Sequence, residues 1–330
     1  MQDSLVTLEK ISLGGINQWI SIRTKDVQKP ILLYLHGGPG TPVMPLFRHF
    51  QAPLEDHFTV VQWEQRGAGK SFSWRLPKES MTIEQFISDL HELIILLCKR
   101  FNKEKIYLMG HSWGSVLGIK TVQRYPQLFH AYIGVGQSSN IVETEKRMYQ
   151  FALNKSDELG DKKAVKMLKK IGPPFMGMQQ PYNDFYKGGY FSKMRVYGLV
   201  TKYGGLIYNF KGYSSYFFRF LPLLKPEYTV LDLIRIMQGS FFSTKTMIKE
   251  LLTVNLSEQV PEVKVPVYFL MGRHDYNCSA ELAKKYFDVL KAPKKEFIWF
   301  EKSAHAPNGE ESTKFNNIII EKILPGTFEE

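Results

Sequence analysis

Hydrophobic and polar positions recur along this chain with two different periods. Residues 5–13 and 16–24 (LVTLEKISL and INQWISIRT) alternate apolar with polar around Gly14-Gly15. That period-two pattern predicts a half-exposed β-hairpin. Later segments lose their polar face. Residues 31–35, 58–63, 106–110, 129–135, 267–271 and 296–300 are short, mostly apolar runs, as strands buried on both sides require. Elsewhere apolar residues follow helical spacing: 83–101 behind a Thr82 cap, 115–124 before Pro126, about 279–290, and 315–323. Strands of this kind alternating with helices predict an α/β fold with a mostly parallel sheet flanked by helices.

The alternation stops after Gln137. From 139 to 237 the chain reads as helices and loops punctuated by Gly172-Pro173-Pro174, Gly188-Gly189, Gly204-Gly205 and Leu221-Pro222. Between Tyr182 and Phe220, 14 of 39 residues are Phe or Tyr, against 14% aromatic overall. That density marks a unit with its own apolar surface to bury, and some of these rings are candidates to line a substrate pocket. The expected organisation is therefore a core of residues 1–138 and 238–330 with a helical cap inserted over 139–237.

Composition narrows the function. A chain of 330 residues with 44% hydrophobic residues can bury a full core. The start, MQDSLVTLEK, has no signal-peptide pattern, and the longest purely apolar run, 93–98, is far too short for a membrane span. A cytoplasmic protein without membrane attachment is expected. The net charge of +11 is spread along the chain. Its densest cluster, around Lys162, Lys163, Lys166, Lys169 and Lys170, is interleaved with Val165, Met167, Leu168 and Ile171, the pattern of a helix with a solvated basic face. No nucleic-acid patch is expected. Cys98 and Cys278 stand far apart, and neither H-E-x-x-H nor C-x-x-C is present, so neither a metal nor another cofactor is called for. Gly69-Lys70-Ser71 imitates the end of a phosphate-binding loop, but Glu64 stands where that loop needs glycine.

The candidate chemistry sits at strand ends. Gly110-His111-Ser112-Trp113-Gly114 lies between a strand and a helix, the setting of a nucleophile elbow. G-x-S-x-G alone arises by chance in about one chain in ten of this length, so the flanking elements carry the weight. A serine hydroxyl needs a base, and the base needs an orienting carboxylate. His305 follows the last strand and Asp275 follows the strand at 267–271; His274 competes for the base but shares its loop with Asp275. The order Ser112, Asp275, His305 is that of an α/β-hydrolase. Two backbone N–H groups are expected to receive an oxyanion: Trp113, next to the nucleophile, and Gly38, in the loop His36-Gly37-Gly38-Pro39-Gly40.

Taken together, HGGPG at 36–40, WEQRGAGKS at 63–71, GHSWGS at 110–115, GRHD at 272–275 and His305 resemble the α/β-hydrolase superfamily, and within it the proline iminopeptidases. The resemblance implies the fold with an inserted helical cap, the triad Ser112, Asp275 and His305, and no cofactor. It implies an aminopeptidase that releases N-terminal proline or a small apolar residue from short peptides. In that family carboxylates in or beside the cap anchor the substrate's amine. Glu143, Glu145 and Glu227 are available, and Tyr276 stands where some members carry an acidic residue; Glu143, Glu227 and Tyr276 are taken as the substrate-contact candidates. Glu64 replaces the family's more usual aspartate. Two alternatives stay open: a carboxylesterase or lactonase acting on small esters, which needs no amine anchor, and a non-catalytic binding protein on the same fold.

Overall fold

The computed structural model describes residues 3–175, 186–209 and 227–327. Strands β1 (Leu5–Leu13) and β2 (Ile16–Thr24) form the hairpin that their alternation demands, and β2 continues antiparallel onto β4 (Thr59–Glu64). The remaining strands run parallel: β3 (Ile31–Leu35), β5 (Ile106–His111), β6 (Phe129–Val135), β7 (Val267–Gly272) and β8 (Lys295–Phe300). The eight strands make one sheet in the order β1-β2-β4-β3-β5-β6-β7-β8.

Period-two geometry sends alternate side chains to opposite faces, and β3 shows it. Ile31, Leu33 and Leu35 join one core with α2 (Ile83–Phe101), α3 (Trp113–Arg124) and a later helix, Ala280–Val289. Leu32 and Tyr34 join a second core with Phe47 of α1 (Met44–Gln51) and Phe315, Ile319 and Ile323 near the C-terminus. Helix α1 has no counterpart in the apolar pattern. It is only 8 residues long, too short for a periodic signal, and its start is marked only by Pro45. The expected C-terminal helix is two pieces, Ser312–Asn317 and a wider π-helical turn, Ile318–Ile323.

Between β6 and β7 the chain runs through α4 (Ile141–Glu158), α5 (Lys162–Ile171), α6 (Gly189–Lys202) and α7 (Val230–Leu251). The first two are capped by the side chains of Asn140 and Asp161, and α7 by a reciprocal Thr229/Asp232 box. Met148, Tyr149, Leu168, Tyr186, Val196 and Val200 build a core of their own here. Helix α5 buries Ala164, Leu168 and Ile171 and exposes five lysines, so its basic face is solvated. Helix α7 passes unbroken through position 237, the expected end of the insertion. Of the aromatic-rich stretch, 182–185 and 210–220 lie outside the described residues. Among the described residues no helix is long and apolar enough to cross a membrane.

Candidate active site

Ser112 stands between β5 and α3 with φ 56° and ψ −120°. A non-glycine residue rarely adopts that backbone, which costs about 1–3 kcal/mol and persists only where the surroundings enforce it. The enforcement is steric. A Cβ on Gly110 would lie 2.3 Å from the Gly114 carbonyl oxygen, and one on Gly114 would lie 2.3 Å from the Leu35 oxygen. Helix α3 is thus pressed against β3 and β5 and begins at Trp113, two residues earlier than its apolar pattern suggests. The Ser112 N–H donates to Val135 O at 3.0 Å, which ties the turn to β6.

Asp275 and His305, in the loops after β7 and β8, meet directly. His305 Nδ1 and Asp275 Oδ2 are 2.9 Å apart, and both side chains are buried. The other carboxylate oxygen, Oδ1, accepts the N–H groups of Asn277 and Cys278, each at 2.9 Å. This fixes the carboxylate's plane and, through it, the ring. Burial alone would push the imidazole's pKa down; the Asp275 carboxylate, with the Cys278 thiol beside it, outweighs burial and holds His305 well above the usual histidine range. His111 packs against the His305 ring at 4.7 Å between centroids and donates from Nε2 to the His305 carbonyl at 2.9 Å. Burial and that neighbour lower the His111 pKa to about 3, so it stays neutral.

Ser112 opens into the same cavity as His305. Among the described residues no hydrogen bond joins the two side chains. The Ser112 hydroxyl lies 3.8 Å from Cys278 Sγ, which is 3.0 Å from the Ser138 hydroxyl.

The loop at 36–40 folds against Ser112, since a Cβ on Gly37 would sit 3.0 Å from Ser112 Cβ. Gly38 has φ 114°, a value that favours glycine. His36 arranges this loop. Its Nε2 accepts the Gln65 N–H at 3.2 Å, so its proton is on Nδ1, which donates to Gly37 O at 2.8 Å. Burial lowers the His36 pKa to about 4, which keeps that tautomer neutral. In a trans peptide the C=O and the N–H point opposite ways. Holding the Gly37 oxygen toward His36 therefore turns the Gly38 N–H away from it. Gln65 completes the scaffold by accepting from Trp113 Nε1 at 2.9 Å and donating to His36 O at 3.0 Å. Gly37, Gly38 and Trp113 all line the cavity.

The cavity measures about 480 Å³ and is lined mainly by apolar side chains from α1, α4, α6, α7 and the loop after α6, among them Phe47, Met148, Tyr197, Leu206 and Ile248. That size suits a small organic ligand. The three substrate-contact candidates lie elsewhere. Glu143 faces solvent, paired to Lys146 at 2.6 Å. Glu227 pairs with Arg48 of α1. Tyr276 stacks on Phe151 with ring centroids 3.8 Å apart. Two carboxylates line the cavity: Glu310, whose oxygens accept the backbone N–H groups of Tyr208, Ala304 and Ala306, and Glu145, buried to 4% exposure. Glu145 Oε1 accepts from Lys193 Nζ at 2.7 Å, while among the described residues Oε2 has no hydrogen-bond partner.

Sequence reasoning named Glu145 as available without choosing it as a substrate contact, and missed Gln65, Ser138 and Cys278. Gln65 was visible inside the QRGAG run; Cys278, three residues past Asp275, carried no spacing signal.

Comparison with known proteins agrees with this architecture. Residues 30–164 match the family described as alpha/beta hydrolase fold. The chain is 37% identical over 316 residues to the probable aminopeptidase YbaC of Bacillus subtilis, covering 96% of each chain. It is 24% identical to the proline iminopeptidase of Saccharolobus solfataricus, over 94% of this chain and 89% of that one. A proline iminopeptidase-related protein from Thermus thermophilus superposes with a TM-score of 0.66 at 16% identity, covering 98% of both chains. At that identity the likeness speaks for the fold.

Proposed function

The chain belongs to the α/β-hydrolase superfamily, in its proline iminopeptidase-like group, and is a hydrolase; from that premise we propose that it is a serine aminopeptidase releasing a small apolar N-terminal residue, proline foremost. One observation carries the reading. The buried Asp275–His305 pair and the strained Ser112 converge on one apolar cavity. Ser112 Oγ attacks the scissile carbonyl. His305 has Nδ1 committed to Asp275, so Nε2 is the atom left to take the serine proton and return it to the leaving amine. The developing oxyanion is received by the N–H groups of Gly38 and Trp113. Neither has another acceptor among the described residues, and Trp113 is at a helix N-terminus, where N–H groups are orphaned. One such donor is worth about 3–4 kcal/mol of transition-state stabilisation. Water then releases the acyl-enzyme.

Helices α4 to α7 act as a cap that keeps water from the cavity, and Glu145, which belongs to it, anchors the substrate's amine through its carboxylate. A desolvated ammonium needs such a partner.

The test compares a fluorogenic prolyl amide, its N-acetylated form and a short-chain nitrophenyl ester. The aminopeptidase reading expects turnover of the free-amine amide and its loss on acetylation. Turnover of the ester alone would make the protein an esterase. Ser112→Ala should lose both activities by at least about a thousandfold, together with labelling by a fluorophosphonate. Normal turnover by that variant, or a wild type that neither turns over nor labels, would reject the hydrolytic mechanism.

A further inference from the structure

Cys278 has no part in the proposed hydrolysis, yet it occupies the middle of the site. One ligand atom from each of Asp275, Cys278 and His305 lies within 4.8 Å of the other two, and all three residues are buried. Cys278 and His305 also line the cavity, so the cluster is reached through the substrate's own route. We propose that these three residues form an inhibitory binding site for a soft divalent cation, Zn2+ foremost.

The chemistry of the donors selects the ion. A thiolate and an imidazole favour zinc over magnesium or calcium, which prefer oxygen. Three protein ligands of mixed S, N and O type, with the fourth position open to a cavity, match the coordination of accessible zinc sites. A tetrahedral zinc with bonds of about 2.0–2.3 Å holds its ligand atoms roughly 3.5 Å apart, so side-chain rotation alone closes the set. Binding forms Zn–S, Zn–N and Zn–O bonds; the thiol proton and the proton on the ligating imidazole nitrogen both leave to solvent. The ion takes the lone pairs that the base and its orienting acid need. Inhibition therefore rests on the hydrolytic reading above, whereas binding does not.

Hydrolysis by the full-length protein, free of thiols and chelators, is measured against buffered free Zn2+, and Co2+ binding is followed by its sulfur-to-cobalt charge-transfer absorption. The expected result is loss of hydrolysis with Zn2+, recovery on chelation, and no loss with the same concentration of Mg2+. The inhibition constant should rise at least tenfold in Cys278→Ser and stay at the wild-type value in Cys98→Ala, whose thiol is buried in α2. The thiolate–cobalt band should appear in wild type and in Ser112→Ala and vanish in Cys278→Ser. Zn2+ should also protect Cys278 of the wild type from alkylation, read by mass spectrometry, a readout independent of any variant's folding. Equal inhibition constants in wild type and Cys278→Ser, absence of the thiolate band, or unprotected alkylation would each overturn the site. Because cobalt binding and alkylation need no turnover, failure of the hydrolytic reading leaves this test decisive.

Discussion

A carboxylate oxygen buried without a partner is costly, and Glu145, which lines the apolar cavity, keeps one with no partner among the described residues. Among the residues expected to contact substrate, with Glu227 and Tyr276, was Glu143, two positions earlier. Two positions on a helix are about 200° apart, so only one of the pair can face the cavity, and the sequence contains nothing that says which. The direction of α4 against the sheet decides it. Ser112 was different, because the glycines that its turn requires at 110 and 114 are written around it. Asp275 and His305 were legible as the polar residues directly after apolar strands; Cys278 was not, since its place depends on a loop curling back toward Ser138. Glu145→Gln preserves shape and removes charge. It should raise KM for the free-amine prolyl amide about ten- to a hundredfold, the worth of a hydrogen bond to a charged group, and change kcat/KM for a neutral ester less than about threefold. Equal effects on both substrates would show that Glu145 holds the cap together rather than the amine.

At the scale of elements, the sequence was most readable where one period ran long enough. The hairpin β1–β2, the 19-residue α2 and the strands fall where the apolar pattern puts them, although β8, at the sheet edge, is half-buried over most of its length rather than buried on both sides. Helix α1 did not announce itself, and the start of α3 was set by the turn at Ser112 rather than by its apolar pattern, while its end at Arg124 falls where expected. The elbow also sets the tolerance of its glycines. At Gly118 an added Cβ would meet a Tyr132 ring carbon at 2.8 Å, a contact that side-chain movement can relieve at about 1–3 kcal/mol. At Gly114 the obstacle is the Leu35 carbonyl, which belongs to β3 and has its place fixed by the sheet. Gly114→Ala should therefore destabilise by more than about 4 kcal/mol and lower the yield of folded protein, while Gly118→Ala stays within the smaller range. Urea unfolding of the two variants checks this ordering; a Gly114→Ala protein as stable as the wild type would refute the steric account of the elbow.

For the whole molecule, the class of fold follows from the alternation of elements, whereas the joint between the sheet and the returning helix α7 does not. Lys70, in the segment that imitates a phosphate-binding loop, reaches Asp232 of α7 at 2.7 Å and gives its backbone N–H to Glu64. The motif serves bracing, between partners 162 positions apart in the chain. Glu64 is the odd member of this joint. It is fully buried, and its Oε2 accepts the Lys70 N–H. Burial pushes its pKa up to about 7, against the opposing pull of the Tyr228 hydroxyl, the Lys70 amide and the Lys70 ammonium. The carboxyl's ordinary value is 4.5, so between pH 4.5 and about 7 the folded protein keeps a proton that the unfolded chain has lost. Where the native state binds more protons, stability falls as pH rises. Glu64 thus favours the fold least above pH 7, by about 3 kcal/mol relative to pH 4.5. Glu64→Gln carries no titrating proton and keeps most of the volume. Its stability relative to wild type should improve by that order between pH 5 and pH 8 in urea unfolding. A difference between the two proteins that is the same at both pH values would mean that Glu64 ionises in the folded state as readily as in water.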